Sequence, residues 1–155
     1  MNIQDIRAAI QSNPEILALA QADVPDEEAI SELLPKIVTL KEVYVTERGV
    51  VAALGLLDGE SFLSSIESFV STPLETSHPL SQYQTGIARQ IAWLKKDGID
   101  MGSAPARELI DTLAYFGVLN QDHANLIKGL AEERTPVSKI DIRKAIWNDD
   151  GSRAV

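Results

Sequence analysis

The two histidines are the first residues to weigh for chemistry, because imidazole is a common general base and metal ligand. His78 and His123 are 45 residues apart, and neither has further ligands around it at a metal-binding spacing. His78 lies in a stretch rich in Pro, Ser and Thr, and His123 in the first turn of a predicted helix. We interpret both as solvated or capping residues.

Other catalytic arrangements are equally weak. Ser77 precedes His78, but no Ser has the Gly-x-Ser-x-Gly setting of a nucleophile elbow. No Gly-rich phosphate loop occurs, and there is no Cys to act as nucleophile or ligand. Adjacent carboxylates occur on predicted helix faces or in the tail, where we interpret them as solvated charge. The pairs are Glu27–Glu28, Glu132–Glu133 and Asp149–Asp150. The sequence predicts a non-enzymatic protein with no cofactor and no metal.

Charge is distributed unevenly over the 155 residues, whose formal net charge is −9. Residues 1–78 contain 4 basic and 13 acidic residues, whereas residues 79–155 contain 10 of each. An acidic surface repels nucleic-acid phosphates, so nucleic acid is not an expected partner. It suits a basic protein surface or simply keeps the chain soluble.

Hydrophobic periodicity predicts a mostly α fold, a small helical bundle built from helical hairpins. Short helices are expected over 2–11, from Pro14, from Asp26 to Pro35, over 47–54 and over 59–70. Longer apolar stripes follow at 80–96, where Tyr83 is expected to face the core, and after Ser103, where Phe116 is. Further stripes follow after Asn120 and after Ser138. The Val-, Ile-, Thr- and Tyr-rich segment near 37–45 is predicted to be extended, although its period also fits a helix.

Two turns share one plan, "LGLLDGES" at 54–61 and "FGVLNQDH" at 116–123. In each, a Gly (Gly55, Gly117) is expected to end a helix with a left-handed backbone. The two apolar residues after it should fold back on that helix, and Asp58 or Asn120 should cap the next one. A DNA-reading helix-turn-helix also has such a turn, but the second helices here are acidic. We interpret the turns as structural.

The length predicts one domain over 1–155. We place a hinge at 71–79, between an acidic helical part (1–70) and a second helical part (80–147), and a polar tail at 148–155. The first ten residues lack the features of a secretory signal, and no stretch is apolar enough for a membrane span. The expected location is therefore inside a cell, away from the membrane.

Two segments are candidate partner-binding sites. One is the last helix with its tail, which combines basic and apolar residues: Lys139, Arg143, Lys144, Ile146, Trp147 and Arg153. Arg and Trp often anchor interfaces, but Trp147 could equally close the core of its own domain. The other is the extended segment with Tyr44, which could add a strand to a neighbour or pair within its own chain.

Patches of the sequence resemble short proteins of tailed bacteriophages and prophages to which no chemistry is assigned. The patches are "VTERGVVAALG", "FGVLNQDHANLIKGLAE" and "KAIWNDDGS". The resemblance implies a phage product in the host cytoplasm or built into the virion, and it carries over no binding or catalytic residue.

Three hypotheses for function remain open at this point. In the first, the protein is a structural or assembly component that binds other virion proteins or copies of itself. In the second, it is an acidic inhibitor or decoy whose face at Glu27, Glu28 and Glu32 covers a basic surface of a host factor. In the third, its last helix binds DNA through Lys144.

Overall fold

A computed structural model describes all residues, 1–155, and it is 61% helical with two short antiparallel strand pairs. The helices, in chain order, are α1 (Ile3–Ser12), α2 (Pro14–Gln21), α3 (Glu27–Leu33), α4 (Glu47–Leu54), α5 (Leu56–Ser71), α6 (Gln84–Lys96), α7 (Ala104–Tyr115), α8 (Gln121–Gly129) and α9 (Lys139–Ile146). A 3-10 turn, Ser81–Tyr83, leads into α6. The strands are β1 (Ile37–Leu40), β2 (Tyr44–Val45), β3 (Ile99–Asp100) and β4 (Glu132–Thr135). The mostly α prediction and the extended segment near 37–45 are confirmed.

The chain divides into two compact units, each with its own hydrophobic core. Unit 1 contains Met1–Thr39 and Glu133–Val155, and unit 2 contains Leu40–Glu132. The loop at 71–79, where the sequence places a hinge, lies inside unit 2. Because unit 1 combines both ends of the chain, the acidic first half of the sequence does not form a unit of its own.

Unit 1 begins with three short helices whose starts follow from capping side chains. Asn2 and Asp5 form a reciprocal capping box at the start of α1. The side chain of Asn13 accepts backbone N–H bonds at the start of α2, where Pro14 is the first helical residue. The Asp26 carboxylate caps α3. These helices pack with α9 on one core, whose buried residues are Ile6, Ile10, Ile16, Ala20, Ile30, Leu34, Val137, Ile142, Ala145 and Ile146.

The sequence does not predict the strand β4, because "EERT" is poor in the residue types that favour an extended backbone. Glu and Arg are poor strand formers, so the backbone there needs a partner to be extended. β1 provides that partner, and the Thr39 hydroxyl donates a bond of 3.3 Å to the carbonyl of Glu133. The extended 37–45 segment therefore pairs inside its own chain, as one of the two readings of the sequence had it.

Unit 2 packs α4 to α8 and the β2–β3 pair around a second core. In that pair Tyr44 lies opposite Asp100 and Val45 opposite Ile99. The core is mainly aliphatic, and its buried side chains include those of Val50, Phe62, Ile66, Ile91, Met101, Ile110, Leu113 and Ile127.

Only one of the two similar turns follows the predicted plan in full. After α7, Gly117 takes a φ of 73°, and Asn120 accepts N–H bonds from Asp122 and His123 at the start of α8. After α4, Gly55 has a φ of 86°, but α5 starts immediately, so Asp58 lies in its first turn and does not cap it. Leu56 and Leu57 do not fold back on α4; they are 68% and 84% exposed.

The polar tail predicted at 148–155 is folded back on α9. The Ala154 N–H donates to the Ile146 carbonyl at 2.7 Å, and Trp147 forms a bridge with Arg153. Within the turn, Asp150 accepts bonds from the N–H and the hydroxyl of Ser152 at 2.9 and 2.6 Å. The residue types of 148–155 are typical of a loop, but hydrogen bonds to the end of α9 make this segment an ordered turn.

Two aromatic residues assigned to the core by periodicity point outward. Tyr83 precedes α6 in the 3-10 turn and is 57% exposed, and Phe116 ends α7 and is 39% exposed. The other predicted members of these stripes are at least partly buried. None of the helices combines the length and the apolar character needed to cross a lipid bilayer.

Candidate functional site

The basic and acidic candidate residues of unit 1 neutralise each other. Arg143 donates two hydrogen bonds to the Glu27 carboxylate, 2.7 Å from Nε to Oε1 and 3.0 Å from Nη2 to Oε2. Lys139 pairs with Glu28 at 3.0 Å. The hydrogen bonds that Arg143 donates to Glu27 raise the pKa of its guanidinium further above the usual range. The Arg143 and Lys139 side chains of α9 are thus paired with acidic side chains of α3.

The remaining charged candidates of unit 1 lie at its surface. Glu32 and Lys144 are exposed and take part in no ion pair. The backbone carbonyl of Lys144 accepts a bond of 3.3 Å from Arg7. These two side chains are available to solvent.

The apolar part of the last helix belongs to the core. Ile146 is completely buried, and Trp147 is half-buried against the same core cluster. The Arg153 guanidinium lies 4.8 Å from the centroid of the Trp147 ring and donates to the Ala22 carbonyl at 2.9 Å. A cation above an indole ring is attracted by the negative face of that ring, so this contact holds the Trp147 and Arg153 side chains together. Trp147 therefore packs on the core of unit 1, and Arg153 connects the tail to Trp147 and to the end of α2.

Tyr44 has a different environment in unit 2. Its backbone pairs with β3, while its side chain is 59% exposed. Its hydroxyl donates to the Glu42 carboxylate at 2.8 Å, and that bond raises the pKa of the Tyr44 phenol. One edge of β2 is paired with β3 within the chain, and the ring of Tyr44 is free for contact.

The ring of Tyr44 is one of five exposed aromatic rings that line adjoining depressions between β2, α6 and α7. A first depression, of about 390 Å³, has Tyr44 and Trp93 on its walls. A second, of about 620 Å³, has Tyr83 and Phe116. A third continues past Phe116 to Tyr115. We call this surface the aromatic groove.

Shared wall residues make the three depressions continuous. Gln90 and Pro105 line both the first and the second, and Glu108, Thr112 and Phe116 line both the second and the third. All three tyrosines of the chain and one of its two tryptophans lie on this surface. Such large apolar rings are usually buried, so a cluster of them at the surface is a candidate contact site.

Comparisons of this chain with protein-family models, with curated proteins and with solved structures each found no match. The geometry of the chain's own residues is therefore the basis for assigning a function.

The histidines and their neighbours have structural roles in unit 2. Nδ1 of His78 accepts the N–H of Leu80 at 3.1 Å, which holds the turn before α6. Nε2 of His123 lies 3.7 Å from one Asp58 oxygen and joins α8 to the start of α5. No group of three or more His, Asp or Glu side chains is gathered in a geometry that could hold a metal ion.

Sequence reasoning singled out Tyr44 but missed the other rings of the aromatic groove. Tyr83 fits the apolar stripe of α6 and Phe116 that of α7, so periodicity assigned them to the core. Trp93 was the available signal: it immediately precedes the buried Leu94 and falls outside the stripe. An aromatic residue on the polar side of an amphipathic helix is a candidate contact residue.

Proposed function

We propose that this protein is a non-enzymatic binding protein and that it works in the assembly of a phage particle by docking another virion protein on the aromatic groove. The observation that carries the binding role is the exposure of Tyr44, Tyr83 and Trp93, each 57–59%, along one surface. Tyr and Trp dominate the energetics of protein interfaces because they bury a large area with few rotatable bonds. The phage context comes from the resemblance in the sequence.

The non-enzymatic part of the proposal is supported by what the conspicuous polar side chains do. The imidazole of His78 caps a turn, and the charged side chains of α9 are paired with α3. Arg107, the one cation of the groove wall, is bound to Glu132 and to backbone carbonyls. Each of these groups is committed to holding the fold together.

The alternative of an acidic inhibitor has less support than the binding role of the groove. Two of its three residues, Glu27 and Glu28, already hold a cation of the same unit. A basic host surface would have to displace Arg143 and Lys139 before it reached these carboxylates. That exchange reduces the free energy available for binding.

Site-specific photocrosslinking during phage production tests the proposal. A photoreactive phenylalanine derivative replaces Trp93 in one variant and Leu57 in a matched control, since Leu57 is also strongly exposed but lies outside the groove. We expect a covalent adduct with a virion protein, identified by mass spectrometry, from the Trp93 position alone. Equal crosslinking at both positions, or none at Trp93, would contradict the proposal.

A further inference from the structure

The charged side chains on the walls of the aromatic groove are mostly carboxylates. Four acidic residues contribute to the three depressions: Asp97, Asp100, Glu108 and Asp111. The only basic residue on these walls is Arg107. Unit 2 as a whole contains 7 basic and 12 acidic residues, so its wider field has the same sign.

Arg107 does not offset the negative charge of the walls, because its guanidinium is already paired with another carboxylate. It donates to the Glu132 carboxylate at 2.6 Å and to the Lys128 carbonyl at 2.9 Å, and it is largely buried. Lys128 in turn pairs with Asp111. Arg89 and Lys96, the neighbouring cations of α6, are not wall residues of any of the three depressions.

Two of the carboxylates are free to meet a ligand. Asp97 and Glu108 are exposed, and their side chains have neither an ion pair nor a hydrogen bond. Asp100 differs, because its Oδ1 accepts the N–H groups of Val43 and Gly102 and so holds the β2–β3 turn. The groove therefore presents uncompensated negative charge beside aromatic rings.

One of the two free carboxylates, that of Asp97, and two of the rings coincide at the first depression. Tyr44 and Trp93 both lie on its walls with Asp97, and Glu42 is bound to the Tyr44 hydroxyl. A cation above an indole or phenol ring is attracted by the ring's negative face, most strongly for Trp. A neighbouring carboxylate adds a charge-assisted hydrogen bond to the same cation.

The length of the groove fits a short extended segment. Tyr83 and Trp93 are ten positions apart along the 3-10 turn and α6, which corresponds to about 15 Å at the rise of an α-helix. An extended chain covers that distance with about five residues. Aromatic-lined grooves of this kind are a recurring binding mode for extended peptides.

Resting on the proposed function, we propose that the occupant of the aromatic groove is an extended segment of a partner protein that carries arginine or lysine. One cationic side chain lies between the Tyr44 and Trp93 rings beside Asp97, and a second reaches Glu108. Apolar residues of the segment lie along Tyr83 and Phe116. A second copy of this chain fits less well, because a two-fold contact through the groove would bring the unpaired carboxylates of both copies together.

A displayed library of random 12-residue peptides, selected on the purified full-length protein, tests this inference. We expect the retained peptides to be enriched in Arg and Lys. A synthetic selected peptide should bind more weakly to Asp97→Asn/Glu108→Gln, by about tenfold at low salt, with most of that difference lost at high salt. Trp93→Ala should weaken it by at least about 30-fold, and Leu57→Ala should leave its affinity unchanged.

The outcomes separate this inference from the function on which it rests. Retained peptides that are uncharged or acidic would overturn the basic partner, as would affinity that is unchanged in Asp97→Asn/Glu108→Gln. Concentration-dependent dimers that disappear in Trp93→Ala would overturn it in favour of a second copy. In each case a virion protein crosslinked at position 93 would still support the docking function, whereas the absence of that adduct would count against both.

Discussion

Arg143 and Glu27 meet in a two-point ion pair that joins α9 to α3, with 2.7 Å between Nε and Oε1. The neighbouring Lys139 and Glu28 repeat this contact at 3.0 Å. In the sequence these four residues are candidates for two separate partner-binding sites, because they are more than 100 positions apart. The fold brings them together, whereas the aromatic groove of unit 2 combines exposed rings with the unpaired carboxylates of Asp97 and Glu108.

The ion pair should contribute modestly to stability, because Arg143 is 68% exposed although Glu27 is only 18% exposed, and water and salt screen a pair with one exposed partner. We expect Glu27→Gln to lower the thermal unfolding midpoint slightly at low ionic strength and not measurably at about 1 M salt. Lys144→Gln, which removes an exposed cation of the same helix without an ion pair, is the control. A large decrease that persists in high salt would show that Glu27 has another role.

The burial of Ile146 gives a sharper test of unit 1. Ile146 is fully buried, whereas Ile140 of the same helix is 67% exposed. Ile146→Ala should reduce the free energy of unfolding by about 2–5 kcal/mol, measured by urea denaturation. Ile140→Ala should change it by no more than about 0.5 kcal/mol. Equal effects of the two substitutions would mean that α9 does not pack as described.

Gly102 allows close approach of two backbone segments at the turn that supports Tyr44. A Cβ at this position would lie 2.1 Å from the Lys41 carbonyl oxygen, so the backbone would have to move. We expect Gly102→Ala to cost more than about 1 kcal/mol. Gly86→Ala, in open space within α6, should instead stabilise the protein by about 0.5–1 kcal/mol. Thermal denaturation of both variants checks this, and a neutral Gly102→Ala would contradict the turn geometry.

The folded tail predicts a perturbed carboxyl group. The Ser152 hydroxyl and N–H bind the Asp150 carboxylate and hold its pKa below the usual value. Because the folded pKa is lowered, the stabilisation is present above the ordinary Asp pKa and is lost as the pH falls through the lower folded value. Ser152→Ala should raise the pKa of Asp150 towards its usual value in a carboxyl NMR titration, and Ser152→Thr should largely retain the shift. An unchanged pKa in Ser152→Ala would mean that the tail is not folded.

Local signals in the sequence were sufficient to predict most helices of the protein. Asn13 with Pro14, and Asn120 after Gly117, act where capping rules place them, because these bonds involve residues two or three positions apart. The strand β4 could not be predicted in this way, since its extended backbone depends on pairing with β1. The fold class follows from the periodicity, but the division into two units follows from contacts between the chain ends.

The candidate site was harder to predict than the fold. Tyr44 was identified from its place in an extended segment, but the reason for its importance was different, since β2 pairs within the chain. Tyr83 follows the apolar stripe of α6, yet a 3-10 turn rotates it out of that stripe. A change from 3.6 to 3 residues per turn redirects a side chain without leaving a clear mark in the sequence.

The most direct test of the central claim is the affinity of the crosslinked virion protein for Trp93→Ala, measured by calorimetry beside Leu57→Ala. Trp93→Ala should weaken binding by at least about 30-fold, the loss typical of an interface hot spot, with unchanged thermal stability because the ring is 57% exposed. Leu57→Ala should bind as the unmodified protein does. Full affinity in Trp93→Ala would contradict the assignment of the aromatic groove as the binding surface.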